Sequence, residues 1–171
     1  MIASSMTVIE DRFGEIFSYL PDMLNSNNVT FKPTFMYGDQ KQLLDFLRQN
    51  SKGDSKYPLI WLVYPYTEKH NRSNVQFSNL SLVLAVETNS SMLNSQRMKE
   101  TYAKVLIPLF NNIKKCFNKA SIANIKDEYE VVKFPNYSES EDGNEATYVW
   151  DALKVTFDGT LNSNCLKPIV F

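Results

Sequence analysis

One segment constrains the fold more than any other: the apolar run Pro58-Leu-Ile-Trp-Leu-Val-Tyr-Pro65. An uninterrupted run of this kind is typical of a strand that is buried on both faces of a sheet. In a second run, Leu80, Leu82, Leu84 and Val86 alternate with smaller or polar residues, which is the pattern of a further strand. About ten polar residues join the two runs, so we expect an antiparallel hairpin with a long tip.

The N-terminal part predicts a helix followed by a strand. Residues 5–24 carry apolar side chains at helical spacing, and Thr7 with Glu10 matches the pattern of a capping box. Residues 29–37 alternate between apolar and polar side chains. Because Pro33 cannot donate a ladder hydrogen bond, we expect this strand at an edge or at a bulge.

The remaining elements follow the same reasoning. Asp39 is a good N-cap for a short helix. Residues 95–119 carry one apolar stripe and predict a long helix with a kink at Pro108. Residues 129–134 and 147–161 read as two final strands. The order is therefore helix, strand, short helix, two strands, long helix, two strands.

This order predicts one α+β domain over residues 1–171, with a mainly antiparallel sheet of about four to five strands on two main helices at one face. The chain has 43% hydrophobic residues, which excludes a wholly disordered protein. Its 18 Lys+Arg against 19 Asp+Glu argue against nucleic-acid binding by bulk charge. Two cysteines, Cys116 and Cys165, are too few for a disulfide framework and favour a reduced intracellular chain.

Residues with catalytic or metal-binding potential do not form a recognisable pattern. His70 is the single histidine, and it lies in the polar tip at 66–73, where we expect a solvated loop residue without the nearby nucleophile or carboxylate that a catalytic histidine needs. No cysteine or histidine pair has metal-ligand spacing, and the five glycines are not clustered as in a phosphate loop. We therefore predict no catalytic, cofactor-binding or metal-binding residues. The acidic segment 138–145 reads as an exposed loop.

Two aromatic groups allow two interpretations each. Trp61, Tyr64 and Tyr66 could stack on bases, but no basic residues are interleaved with them, which favours the core. Tyr148 and Trp150 fit either the core or the anchor positions of a protein interface, where Trp and Tyr are enriched.

The element order and several segments resemble the tail-terminator and tail-completion (head–tail joining) proteins of tailed bacteriophages. The resemblance rests on the N-terminal amphipathic helix, the hairpin opened by Tyr57-Pro58-Leu59-Ile60-Trp61-Leu62-Val63-Tyr64-Pro65, and the long helix. It also includes the acidic-loop hairpin that ends in Trp150-Asp151-Ala152-Leu153-Lys154-Val155-Thr156-Phe157. The short helix at 39–50 and the loop at 66–75 depart from the simplest members.

The resemblance implies a non-catalytic structural virion protein that forms a ring, commonly of six copies or a multiple of six, at the tail end or the head–tail junction. Its partners would be copies of itself and the neighbouring connector and tail-tube proteins. DNA would be only the passing genome, no membrane would be involved, and synthesis would take place in the cytoplasm of the host bacterium. The loops at 66–75 and 136–146 would contact neighbouring rings or face the lumen, and the last strand would contribute to the subunit interface. The expected contact residues are Lys69, His70, Arg72, Glu139, Glu141, Asp142, Tyr148 and Trp150.

Two other classes of function remain open from the residues. A bacterial adaptor or immunity-type binding module would use the acidic loop 138–145 against a basic partner. An enzyme is the third interpretation, which a bound metal or nucleotide would support.

Overall fold

The structure, a computed structural model, describes residues 8–24, 29–48, 56–137 and 149–171, without the side chains of 48, 136, 137 and 149. Its helical elements are α1 (Ile9–Phe17), α2 (Gln40–Arg48), α3 (Asn94–Arg97), a π-helix (Met98–Leu106) and α4 (Ile107–Lys119). Its strands are β1 (Met23–Leu24), β2 (Thr30–Phe31), β3 (Thr34–Asp39), β4 (Leu59–Tyr64), β5 (Thr67–His70), β6 (Asn74–Thr88), β7 (Ala123–Tyr137) and β8 (Val149–Asn162).

Six of the described strands form one mixed sheet, in the order β3-β4-β6-β8-β7, with β5 pairing with β6 beyond the end of β4. The α+β class and the mainly antiparallel pairing are confirmed, because only the β3–β4 pair is parallel among these strands. The predicted hairpin of β4 and β6 is also present. Part of its tip, expected to be loop, is the strand β5, so the sheet exceeds the expected four to five strands.

One face of the sheet carries the larger core, beneath α1, the π-helix and α4. Leu82, Leu84 and Val155 point to this face from the central strands and are buried. Phe13 of α1 contacts Phe117 of α4 with ring centroids 5.1 Å apart, which joins the two helices above the sheet. The apolar spacing of the sequence therefore correctly identifies this core.

The opposite face carries a second core under α2, which corrects the expectation that the helices share one face. Leu43 and Leu47 of α2 pack in a cluster with Leu59, Trp61 and Trp150. The reason is the parallel pairing of β3 and β4, since parallel neighbours need a crossover that passes over one face of the sheet. Asp39 caps the N-terminus of α2 as predicted, because its Oδ1 accepts a hydrogen bond of 2.7 Å from the backbone N–H of Gln42.

The first helix is shorter than predicted. It ends at Phe17 rather than near residue 24, and the hydroxyl of Ser18 donates to the carbonyl of Glu15 at its end. Pro21 follows and cannot continue a helix. Thr7 lies outside the described residues, and Val8 occupies the N-cap without a side-chain cap hydrogen bond.

The long helix is not uniform. It widens into π-helical turns over Met98–Leu106, where the N–H of Ile107 donates to the carbonyl of Tyr102, five residues earlier. Pro108 lies just after this π-helical segment, in the first turn of α4, and the backbone is helical through the junction at Leu106 and Ile107. The kink at Pro108 stays a prediction, and the feature that the structure shows beside it is the change from π-helical to α-helical turns at Ile107.

Candidate interaction surfaces

Among the described strands, β3 and β7 are the outermost in the sheet, and both present apolar side chains to the surface. On β3, Met36 and Tyr37 are 39% and 50% exposed. On β7, Tyr129, Val131 and Val132 are 41%, 40% and 36% exposed. Outermost strands with exposed apolar residues are templates for pairing with another chain unless something covers them.

A groove opens between α4 and β7, next to an irregularity in the strand. The β7–β8 register shifts between Ile125 and Tyr129, so residues 126–128 bulge from the ladder. Phe117 and Phe157 contribute to its apolar floor, and the lining leaves a volume of about 230 Å³. Lys114 lies at the rim and donates to the hydroxyl of Tyr129 at 3.3 Å.

The charges of the helices on the larger-core face differ between the two ends of the sheet. Helix α1, which contacts β3, has three acidic residues and one arginine. Helix α4, which contacts β7, has Lys114, Lys115 and Lys119 and no acidic residue. The two helices also pack against each other through Phe13 and Phe117, so that in the described residues the acidic α1 lies on the β3 side of this face and the basic α4 on the β7 side.

Glu10 forms a polar cluster with two tyrosines at the end of β4. Its Oε1 accepts hydrogen bonds of 2.6 Å from the hydroxyls of both Tyr64 and Tyr66. Burial raises the pKa of Glu10, but these hydrogen bonds stabilise the carboxylate and the net effect is a lowered pKa. Burial and the same hydrogen bonds raise the pKa of each tyrosine above its ordinary value. The ring of Tyr64 lies 6.2 Å from that of Tyr37, which extends the cluster to the edge strand.

The suggested stacking platform is divided between the two faces of the sheet. Trp61 is buried in the α2 core, and its indole Nε1 donates to the carbonyl of Gly38 at 3.2 Å. Tyr64 and Tyr66 instead turn to the α1 side through Glu10. The core interpretation, which the sequence favoured, agrees with the position of Trp61.

Of the predicted contact residues, those at the hairpin tip are exposed together. Lys69 and His70 belong to β5, Arg72 follows in the turn, and all three are exposed. His70 Nε2 lies 2.6 Å from Glu68 Oε2. The expectation that the tip places no carboxylate beside His70 is therefore wrong, because Glu68 lies two residues earlier on the same strand β5 and reaches the imidazole.

The other predicted contact residues are not brought to this tip. Glu139, Glu141, Asp142 and Tyr148 lie outside the described residues. Trp150 is buried against α2, and its Nε1 donates to the Tyr57 hydroxyl at 2.6 Å. Of its two interpretations, the position of Trp150 agrees with the core and not with an exposed anchor. The last strand, expected at the subunit interface, is β8, which lies between β6 and β7 and so does not present a sheet edge to a neighbour.

A buried ion pair escaped the sequence reasoning. Arg97 and Asp151 are fully buried, and Arg97 Nη1 lies 2.8 Å from Asp151 Oδ1. The guanidinium also donates to Thr88 Oγ1 at 2.7 Å and to the carbonyls of Asn89 and Met92 at 2.6 and 3.1 Å. Arg97 thereby connects β8, which contains Asp151, to the segment between β6 and α3. The one signal in the sequence is that Arg97 lies beside the apolar stripe of the predicted helix. That signal does not identify the partner of Arg97.

No group of three or more His, Cys, Asp or Glu side chains converges on a common point within the described ranges, as a metal site would require. Among those same residues, no helix is both long and apolar enough to cross a membrane. No protein-family model and no curated protein sequence matches this chain.

Proposed function

We propose that this chain is a structural subunit of a phage virion that assembles into a ring at the head–tail junction or at the tail end. The observation that carries the proposal is the sheet itself, which ends at β3 and β7 with exposed apolar side chains. A neighbour on each side would cover these strands, and a ring supplies every subunit with two such neighbours. The expected ring contains six copies or a multiple of six.

The element order supports the same proposal. The described chain has a helix, an edge strand, a short helix, two central strands, a long helix and two final strands, apart from the short strands β1, β2 and β5. This is the order on which the resemblance to the tail-terminator and tail-completion proteins rests. The departures named from the sequence are the short helix, which is α2 over the second core, and the tip, which contains β5.

The charge balance is compatible with a channel for DNA. A subunit with 18 basic and 19 acidic residues has no excess of positive charge for binding phosphates. Because each lysine or arginine that neutralises a phosphate strengthens binding, a lumen without a basic excess lets DNA pass without adhering. The exposed tip at Lys69, His70 and Arg72 then belongs to contacts with an adjoining ring.

The test is native mass spectrometry of the full chain at increasing concentration, alone and with purified connector or tail-tube protein. We expect a closed ring, or a ring that forms on addition of the partner, and a specific complex with one of the two. A chain that stays monomeric and binds neither partner refutes the proposal.

A variant lacking residues 138–143 separates this proposal from the adaptor alternative. An adaptor that depends on the acidic loop should lose affinity for a basic partner, and its binding should weaken with salt. Ring formation through strand edges should survive the deletion. The adaptor is favoured if the deletion abolishes a salt-sensitive complex with a basic partner and no ring is observed.

A further inference from the structure

The directions of the strands determine how two copies of the sheet can meet. β3 runs parallel to β4, and each following pair in the order β4-β6-β8-β7 is antiparallel. β3 and β7 therefore run in opposite directions at the two ends of the sheet. A second copy placed beside the first by rotation about an axis along the strands brings its β3 antiparallel to β7.

The side chains on these strands match in such an arrangement. Met36 pairs with Trp61 of β4, so it points to the α2 face of the sheet. Val132 is opposite Lys154, which is also opposite Val83 of the α2 core, so Val132 points to the same face. Joining β7 to β3 of another copy therefore continues both faces of the sheet and places apolar residues beside apolar residues.

The helix charges distinguish the pairing of β7 with β3 from the two symmetric pairings, β7 with β7 and β3 with β3. Pairing β7 with β7 would place the lysines of α4 beside those of a second α4, and pairing β3 with β3 would place two acidic α1 helices together. Pairing β7 with β3 places α4, with three lysines, beside α1, with three acids and one arginine. Because β7 itself carries both acidic and basic residues, its charges favour none of these pairings, and the charges of the helices distinguish them. Complementary charges favour correct encounter, and like charges disfavour it.

From these observations we infer that copies of this chain join head to tail, with β7 of one copy pairing antiparallel with β3 of the next and α4 packing beside α1. The contact is heterologous, so it leaves one free edge at each end of an open chain of subunits and closes only as a ring. The inference rests on the proposed function and specifies the surface that would form its ring.

Cysteine cross-linking tests the pairing in the full chain. The background is Cys165→Ser, because Cys165 is exposed, while burial of Cys116 raises the pKa of its thiol to about 11 and keeps it unreactive. Met36→Cys and Val132→Cys are then introduced separately and together, and a short bis-maleimide is added. The double variant should form a ladder of trimers and larger species, whereas each single variant should remain uncrosslinked.

The outcomes distinguish a failure of the inferred pairing surface from a failure of the proposed function. Dimers of the Val132→Cys or Met36→Cys single variant would show symmetric pairing and overturn the inference. A ring seen by native mass spectrometry without cross-links in the double variant would also overturn it, yet leave the proposed function intact. A monomer that binds neither connector nor tube protein refutes both.

Charge reversal provides an independent measurement of the same contact. Lys115 is exposed on α4, and Lys115→Glu should weaken self-association by roughly fivefold at low salt, as expected for a charge at an interface rim. Lys41→Glu makes the same charge change on α2, at the opposite face, and should leave association unchanged. Adding Asp11→Lys to Lys115→Glu should restore association. Equal effects of Lys115→Glu and Lys41→Glu in sedimentation velocity would contradict the arrangement.

Discussion

Replacing Arg97 with methionine removes the positive charge of the buried pair while keeping an unbranched apolar stem. The carboxylate of Asp151, which is also fully buried, then loses the guanidinium 2.8 Å away. Removing one partner of a buried ion pair costs about 3–5 kcal/mol, because the remaining charge is left in a medium of low dielectric constant. For a chain of this length that corresponds to a fall in melting temperature of about 10 °C.

The cost should be large for Arg97 because its side chain does more than pair with one carboxylate. Its donors also reach Thr88 and two backbone carbonyls in the segment that leads into α3. These acceptors lose a hydrogen bond to a charged donor when the guanidinium is removed, and each such bond makes a net contribution of about 1.5–3 kcal/mol. We therefore expect Arg97→Met to lie near the upper end of the range.

Urea denaturation followed by circular dichroism measures the effect, with two comparisons. Lys126 and Asp158 form an ion pair of 3.0 Å at the surface, and Lys126→Met should cost less than about 1 kcal/mol. The double variant Arg97→Met/Asp151→Leu replaces both charges with apolar groups and should recover most of the lost stability. If Arg97→Met lies within about 1 kcal/mol of the unmodified chain, or if the double variant loses the sum of both single effects, the reasoning is wrong.

Four further predictions concern other sites. Glu10→Gln should reduce the free energy of unfolding at neutral pH. Because the pKa of Glu10 is lowered in the folded chain, the difference in stability between the variant and the unmodified chain should disappear as the pH falls through that pKa. Denaturation at two pH values measures this difference. Gly159→Ala should destabilise the chain by about 1–3 kcal/mol, since the added Cβ would lie 2.8 Å from a backbone oxygen of β7. Gly14→Ala, where the nearest atom is 3.8 Å away, should instead stabilise α1 by about 0.5–1 kcal/mol, and thermal melts that rank the two alike would contradict both expectations. Trp150→Phe removes the indole donor and should cost about 1–3 kcal/mol, whereas an unchanged denaturation midpoint would place the indole outside the core.

Local patterns in the sequence predict the elements whose burial is decided nearby. The apolar run at 59–64 is β4, the alternation that follows is β6, and Asp39 caps α2. In each case the spacing of apolar residues or a single capping side chain carries the information, because strand and helix periodicities are short-range properties. The α+β class and the mainly antiparallel pairing follow from the same patterns.

The contacts over long separations could not be predicted in this way. Glu10 could have capped its own helix, yet it accepts hydrogen bonds from Tyr64 and Tyr66, more than fifty residues away. Arg97 pairs with Asp151 at a separation of 54 residues. A periodic pattern shows that a side chain is buried, but it contains no information about which distant group lies opposite.

The sequence by itself therefore determined the central strands β4, β6 and β8 and most of the apolar residues of the larger core, but not β5 or the full length of β7. Only the tertiary structure decided that β3 pairs parallel with β4, that α2 crosses to the opposite face, and that β3 and β7 end the sheet in opposite directions. The physical reason is that strand periodicity specifies a face of each strand, whereas neighbour, direction and edge are specified by the packing of the whole chain.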